Sequence, residues 1–202
     1  STIQATWLHG ASAKGLKAKV EVRMTPMRTT FKGYKGFVFD SPIRSGASAN
    51  RTVFSGILDK NGEARFRSKT SDIKEAAGKL KAHYFTKVYE KGGDFSVDRK
   101  VASYSPYSTY VGIECPKRSI YDNTLVTDKK HKFNLVTVND GGKLKKNRRL
   151  NVKIYKVSWN WWYDGHEDLA SFTARQGTIL VKDTNIVNAN GRTQFEYKVK
   201  RH

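Results

Sequence analysis

The stretch VSWNWWYDGHED, at 157–168, crowds three tryptophans and a tyrosine into five residues and then sets a histidine among carboxylates. Flat aromatic faces beside acids can hold sugars, bases or cations. Trp159, Trp161, Trp162 and Tyr163 are therefore candidates for contact with a ligand or with a neighbouring domain. Asp164, His166, Glu167 and Asp168 carry metal-ligand chemistry. They lack the spacing and the turn glycine of a calcium loop, so the acids read as a polar loop end.

A second candidate is the run GKLKKNRRLNVK at 142–153. Its Lys143, Lys145, Lys146, Arg148 and Arg149 could meet a polyanion, and a net charge of +20 invites a nucleic-acid reading. The distribution argues otherwise, because residues 1–105 carry +11 and residues 106–202 carry +9. Charge spread so evenly describes a solvated, lysine-rich surface with no specific nucleic-acid partner.

Other chemistries find no support in the spacing. His9, His83, His131, His166 and His202 form no HExxH pair, and no GxSxG is present. GGKLKK at 141–146 lacks the spacing of a phosphate loop and the Ser or Thr after its lysine. Asn50, Arg51 and Thr52 fit the glycosylation triplet, a match that is frequent by chance. The chain therefore reads as non-enzymatic, without metal or cofactor. Its single cysteine, Cys115, excludes an internal disulfide framework and, as a buried thiol, leaves the redox compartment open. No apolar run reaches the roughly 20 residues of a membrane span, and the first residues carry no signal-peptide pattern.

The elements that must position these residues are strands. Leu16, Ala18, Val20, Val22 and Met24 alternate with Lys17, Lys19, Glu21 and Arg23. Period-two alternation recurs in Leu80, Ala82, Tyr84 and Val88, in Phe95, Val97 and Val101, and in Phe195, Tyr197 and Val199. Half-buried strands of antiparallel sandwiches have this pattern. Helical signal is confined to SDIKEAAG at 71–78. Asn61-Gly62 and Asn190-Gly191 each sit between alternating segments and predict β-hairpins, because both residues of the pair tolerate positive φ. YSPYSTYVG at 104–112 marks a boundary. The fold class expected is all-β, with two tandem antiparallel β-sandwiches at 1–106 and 107–202. After Gly62 three strand-like segments follow, whereas one follows Gly191. The second sandwich is therefore expected to be truncated, in a chain cut from a larger protein. An open strand edge would then favour self-association or mobility near its C-terminus.

Within that plan Val152 and Ile154 share one strand face, while Tyr155, Val157, Trp159 and Trp161 take the other. A β-bulge near Tyr155, or a strand buried on both sides, would allow the switch. Trp159 and Trp161 then belong to the core or an inter-domain contact, and Trp162 points the opposite way.

Several segments, in order, resemble the bacterial alpha-2-macroglobulin family. They are ATWLHGASAKGLKAKVEVRMTP (5–26), TFKGYKGFVFDSP (30–42), FSGILDKNGEARF (54–66) and HYFTKVYEKGGDFSVDRKVASYSPYSTYVGIE (83–114), followed by LVTDKKHKFNLVTVNDGGKL (125–144) and LNVKIYKVSWNWWYD (150–164). The resemblance is to two consecutive macroglobulin-like domains, the fifth and sixth of bacterial members. It implies fibronectin-like seven-stranded sandwiches that help form the shell of a broad-spectrum protease trap. Neighbouring domains and target proteases would be the partners of the full-length protein. The location implied is periplasmic, or anchored to the outer membrane of a Gram-negative cell. Family thioesters use a Cys-x-x-Gln type of motif, and Cys115, in IECPKRS, has no glutamine three residues on. What the resemblance carries over is scaffold. The alternatives from the residues alone are an adhesive or carbohydrate-binding sandwich using Trp159 to Tyr163, and a polyanion binder using the basic run.

Overall fold

The computed structural model describes residues 1–44, 50–67, 75–116, 124–157 and 179–200. Among them every regular element is a strand, and every pairing is antiparallel, as expected of an all-β chain of tandem sandwiches. Chain contacts divide into two units, Ser1–Arg28 with Gly46–Pro106, and Thr29–Ser45 with Tyr107–His202.

The first unit holds β1 (Thr2–Gln4), β2 (Lys17–Pro26), β3 (Asn50–Ile57), β4 (Glu63–Arg65), β5 (Leu80–Tyr89) and β6 (Phe95–Tyr104). A four-stranded sheet, β3-β2-β5-β6, faces a two-stranded sheet, β1-β4. Alternation in β2 does what its sequence predicts. Ala18, Val20, Val22 and Met24 are buried, and Leu16, Ala18 and Val20 join Ile3, Leu58 and Ala64 in the core. Burying side chains of this size contributes about 1.5–3 kcal/mol each for the larger ones. On the other face Glu21 lies 2.7 Å from the Lys19 ammonium and 3.6 Å from that of Lys87. The hydrogen bond from Lys19 chiefly holds the Glu21 carboxyl below its ordinary range.

β6 departs from the expectation. Phe95, Val97 and Val101, which read as a half-buried face, are 51%, 45% and 58% exposed. The physical reason is the face they occupy, because they pair with Tyr89, Lys87 and His83 on the outer side of the sheet, opposite the core-facing Leu80 and Ala82, and no described strand covers that side.

The second unit contains β7 (Tyr110–Glu114), β8 (Lys130–Val138), β9 (Arg148–Lys156), β10 (Ile179–Asn188) and β11 (Arg192–Lys198). Its sheets are β11-β8-β7 and β10-β9. Leu135, Leu150 and Phe195 form the core between them, with Phe133, Val152, Ile154 and Ile186 packed alongside. The other face of β8 is also buried. Val136 and Val138 are covered by Phe31 and Phe39, which come from the segment Thr29–Ser45 between β2 and β3. That strap closes at its base where the Thr29 N–H donates to both Asp40 carboxylate oxygens, at 3.2 and 3.1 Å. It docks along β7 through reciprocal backbone bonds between Val38 and Ile113, of 2.8 and 2.9 Å. The Phe31 and Phe39 rings meet edge-to-face at 4.8 Å, and Phe31 meets Tyr110 at 5.4 Å.

The two Asn-Gly turns also differ from the hairpin expectation. Asn61-Gly62 joins β3 to β4, and Asn190-Gly191 joins β10 to β11, yet in each case the two strands belong to different sheets. The turns are corners between layers. Only the glycines take positive φ, 75° at Gly62 and 82° at Gly191. The repeated plan itself is real at the level of pairing. β1-β4 and β2-β3 in the first unit correspond to β8-β11 and β9-β10 in the second. Near Tyr155 the register breaks by a β-bulge, and its extra residue, Val181, lies on the facing strand β10.

Two tests follow from this packing. A Cβ at Gly112 would sit 2.5 Å from the Phe39 ring and 2.9 Å from Val136. Gly112→Ala is therefore expected to lower stability by about 1–3 kcal/mol through overpacking, and Phe39→Ala by about 3–5 kcal/mol through the cavity it leaves. Urea unfolding reads both. For Glu21, a carboxyl with a depressed folded pKa adds stability that is present above its unfolded value. That contribution fades as pH falls through the folded value. Below the ordinary carboxyl pKa of 4.5 the stability difference between the protein and Glu21→Gln should shrink with acidification.

Candidate functional site

Trp159, Trp161, Trp162 and Tyr163, with the acids and histidine that follow, lie outside the described residues. The strand leading to them is described as far as Val157, and there Tyr155 and Val157 are 46% and 39% exposed.

The basic run is described throughout. It occupies the β8–β9 connection and the first residues of β9. Asn139 builds the turn, accepting at its side-chain oxygen from the Gly141 and Lys143 N–H groups at 3.1 and 2.8 Å. Gly142 closes it with φ 84°. Lys143 and Lys146 are exposed on this connection. Lys145 is half-buried, and its ammonium donates to Thr109 Oγ1 at 3.1 Å. Arg148 and Arg149 are successive residues of a strand and project to opposite faces. The structure therefore places Lys143, Lys145 and Lys146 on the connection and Arg148 and Arg149 at the start of β9. Strand alternation thus parts Arg148 from Arg149, and Lys145 is engaged with Thr109, so these three do not present one common face to an anion.

Beneath the run lies a buried polar knot that the sequence reading missed. Thr137 and Asn188 are fully buried. Thr137 Oγ1 accepts from Asn188 Nδ2 at 3.0 Å and donates to the Lys145 carbonyl. Its backbone N–H donates to the Gly191 carbonyl at 2.9 Å, and the Lys145 N–H donates back to the Thr137 carbonyl at 2.8 Å. One threonine thus ties β8, the basic connection and the β10–β11 corner together. The usable signal was a Thr within LVTV, a polar residue in an otherwise apolar run.

The first unit has an open cleft of about 790 Å³ where β1-β4 leaves the large sheet uncovered. Leu16, Val20, Tyr84 and Val88 line it together with Asp98 and Lys100. Among the described residues no three His, Cys, Asp or Glu side chains are grouped to hold a metal ion. Cys115 is exposed rather than buried. No described helix is long and apolar enough to cross a membrane.

Sheets of this kind, closed by corner turns and lacking a convergent cluster among their described residues, define a class of tandem sandwich modules. Two family descriptions match in tandem. The bacterial alpha-2-macroglobulin MG5 domain covers residues 1–105, and bacterial macroglobulin domain 6 covers residues 112–201. The chain belongs to the bacterial alpha-2-macroglobulin family and carries its fifth and sixth macroglobulin domains, as the sequence resemblance implied. Solved structures share the fold. Trypsin-activated alpha-2-macroglobulin from Escherichia coli matches with a TM-score of 0.60 and 18% identity over 98% of this chain. The native conformation of the E. coli protein gives 0.52 and 16% over 98%, and its porcine-elastase-activated form gives 0.52 and 17% over 99%. This chain spans 13%, 13% and 18% of those chains respectively. No curated protein matches it in sequence.

Thr137→Val keeps the shape and removes both side-chain hydrogen bonds, leaving Asn188 Nδ2 and the Lys145 carbonyl to lose a partner inside the protein. The expected loss of stability is about 1–3 kcal/mol, read by thermal unfolding. Faster amide hydrogen exchange around Lys145 should accompany it.

Proposed function

We propose that this chain is a non-catalytic part of a bacterial protease-trapping alpha-2-macroglobulin, and that its two domains serve as shell architecture. The observation that carries the reading is the tandem match to the fifth and sixth domains over nearly the whole chain. The double burial of β8 supports it, because a strand packed on both faces gives a rigid element suited to holding neighbours in place. In this reading the domains are about 1–106 and 107–202, with Thr29–Ser45 lent by the first stretch of sequence to the second unit. Trp159, Trp161, Trp162 and Tyr163 make contacts with a neighbouring domain, while Lys143, Lys146, Arg148 and Arg149 form solvated surface and Lys145 is held by Thr109. The partners are the other domains of the full-length chain and the proteases it meets, in the periplasm or at the outer membrane.

The full-length protein, mixed with a protease such as trypsin, should slow digestion of a large protein substrate far more than hydrolysis of a small peptide. Small-angle scattering should show a change of shape after the protease has cut. Equal effects on both substrates, with no change of shape, would sink the trapping role while leaving the family membership intact.

A further inference from the structure

β6 is the terminal strand of its sheet, and nine of its ten residues are exposed. Its pairing with β5 runs unbroken from Tyr104 to Phe95, without a bulge, and its sequence FSVDRKVASY contains no proline. Edge strands of this length are usually blunted by a bulge, a proline or a covering loop, because the free backbone groups pair readily with another strand. The phase of the ladder fixes which groups are free. At the β5–β6 turn the Glu90 N–H donates to the Asp94 carbonyl at 2.8 Å. Hydrogen-bonded pairs then recur at every second residue. Asp98 and Lys100 therefore direct their backbone groups to β5, while Val97, Arg99 and Val101 direct theirs outward.

Side chains on this strand are complementary to themselves when it is reversed. We propose that β6 pairs antiparallel, edge to edge, with β6 of a second copy of this chain, about a two-fold axis at Arg99. In that register Val97 lies opposite Val101 of the partner subunit, and Asp98 lies opposite Lys100 of the partner subunit. The axis repeats both contacts. Val97 and Val101 are 45% and 58% exposed on the outer face, so the pairing covers apolar surface that the monomer leaves in water. Asp98 and Lys100 line the opposite, cleft-side face, and neither has an ion-pair partner among the described residues. The two arginines on the axis are drawn back from the edge, since each guanidinium lies over Phe85 of its own β5, 5.6 Å from the ring centroid. Sliding the register by two residues either way sets Asp98 against Asp98 or Lys100 against Lys100, which like-charge repulsion disfavours. An isologous contact of this kind closes on itself and yields a dimer with one continuous sheet.

The test is sedimentation velocity of the chain over a wide concentration range, with circular dichroism to verify folding. The chain should form dimers reversibly. Asp98→Lys and Lys100→Asp should each weaken dimerisation by roughly tenfold or more, as like charges come opposite one another. The double variant D98K/K100D restores opposite charges and should recover dimerisation. Both substitutions are on exposed positions, so the folded monomer should survive all three variants. A chain that stays monomeric throughout overturns the proposal. So does a dimer that ignores the single variants or is not recovered by the double one, because its interface would then lie elsewhere.

Discussion

Burial of β8 on both faces is the constraint on which the second unit depends. One face packs Leu135 against Leu150 and Phe195, and the other packs Val136 and Val138 against Phe31 and Phe39. The strand's last four residues, Leu135 to Val138, have no solvated side on which to place polar groups, so that stretch must be apolar or internally paired. LVTV meets that requirement in both ways. Three residues are apolar, and the threonine spends its hydroxyl on Asn188 and Lys145. The aromatic cover comes from a segment encoded 90 or more residues earlier, between β2 and β3. The second unit is consequently a product of two separated stretches of chain. Its packing rewards contacts that are distant in sequence, at the entropic cost of closing a long loop.

The repeat shows how a small set of local rules yields a layered fold. DKNGE at 59–63, EKGGD at 90–94 and NDGGK at 139–143 share one geometry. In each the first N–H bonds the fifth carbonyl, the fourth N–H bonds the first carbonyl, and the fourth residue is a glycine with positive φ. The turn at WLHGA (7–11) obeys the same rule. Only glycine enters that φ region at little cost, so its position, and not the Asn-Gly pair, is what defines the turn. Where the first residue is Asp59 or Asn139, its side chain adds two bonds to the backbone and stiffens the loop. Local geometry alone does not decide whether such a turn makes a hairpin or a corner. The same loop closes β5 onto β6 as neighbours and carries β3 to β4 across layers.

That distinction separates what the sequence made legible from what it did not. Period-two patterning located β2, β5 and β11 and named their buried residues, because each has one face on a core. In β6 it named the wrong environment, since alternation records two unlike faces but not whether another layer covers either one. The strap was illegible for a different reason. Its Phe31, Tyr34, Phe37 and Phe39 follow neither strand nor helix spacing, and their role exists only once β7 and β8 are in place beside them. Resemblance to a family supplied the order of the domains, yet it gave no account of which side chains hold them together. For the candidate site, the sequence grouped five cations by proximity alone, and only the strand assignment of β9 shows that two of them, Arg148 and Arg149, project to opposite faces.

Divergence of those two arginines illustrates a wider feature of the surface. A strand that holds Leu150 in the core must send one neighbour out through the opposite face, so consecutive basic residues there cannot act on one anion. Convergent recognition needs cations at i and i+2 on one strand, or side by side on adjacent strands. The outer face of β2 and β5 has that arrangement in Lys19 and Lys87, but Glu21 occupies the space between them. Charge on this chain is thus high in sum and locally divided, by strand geometry in one unit and by a neutralising acid in the other. A surface of this kind keeps the sheet faces hydrated and discourages indiscriminate stacking of sheets, without concentrating potential into a site. It suits modules whose task is to hold a position among neighbours, where the specific interactions are carried by packed side chains and strand edges.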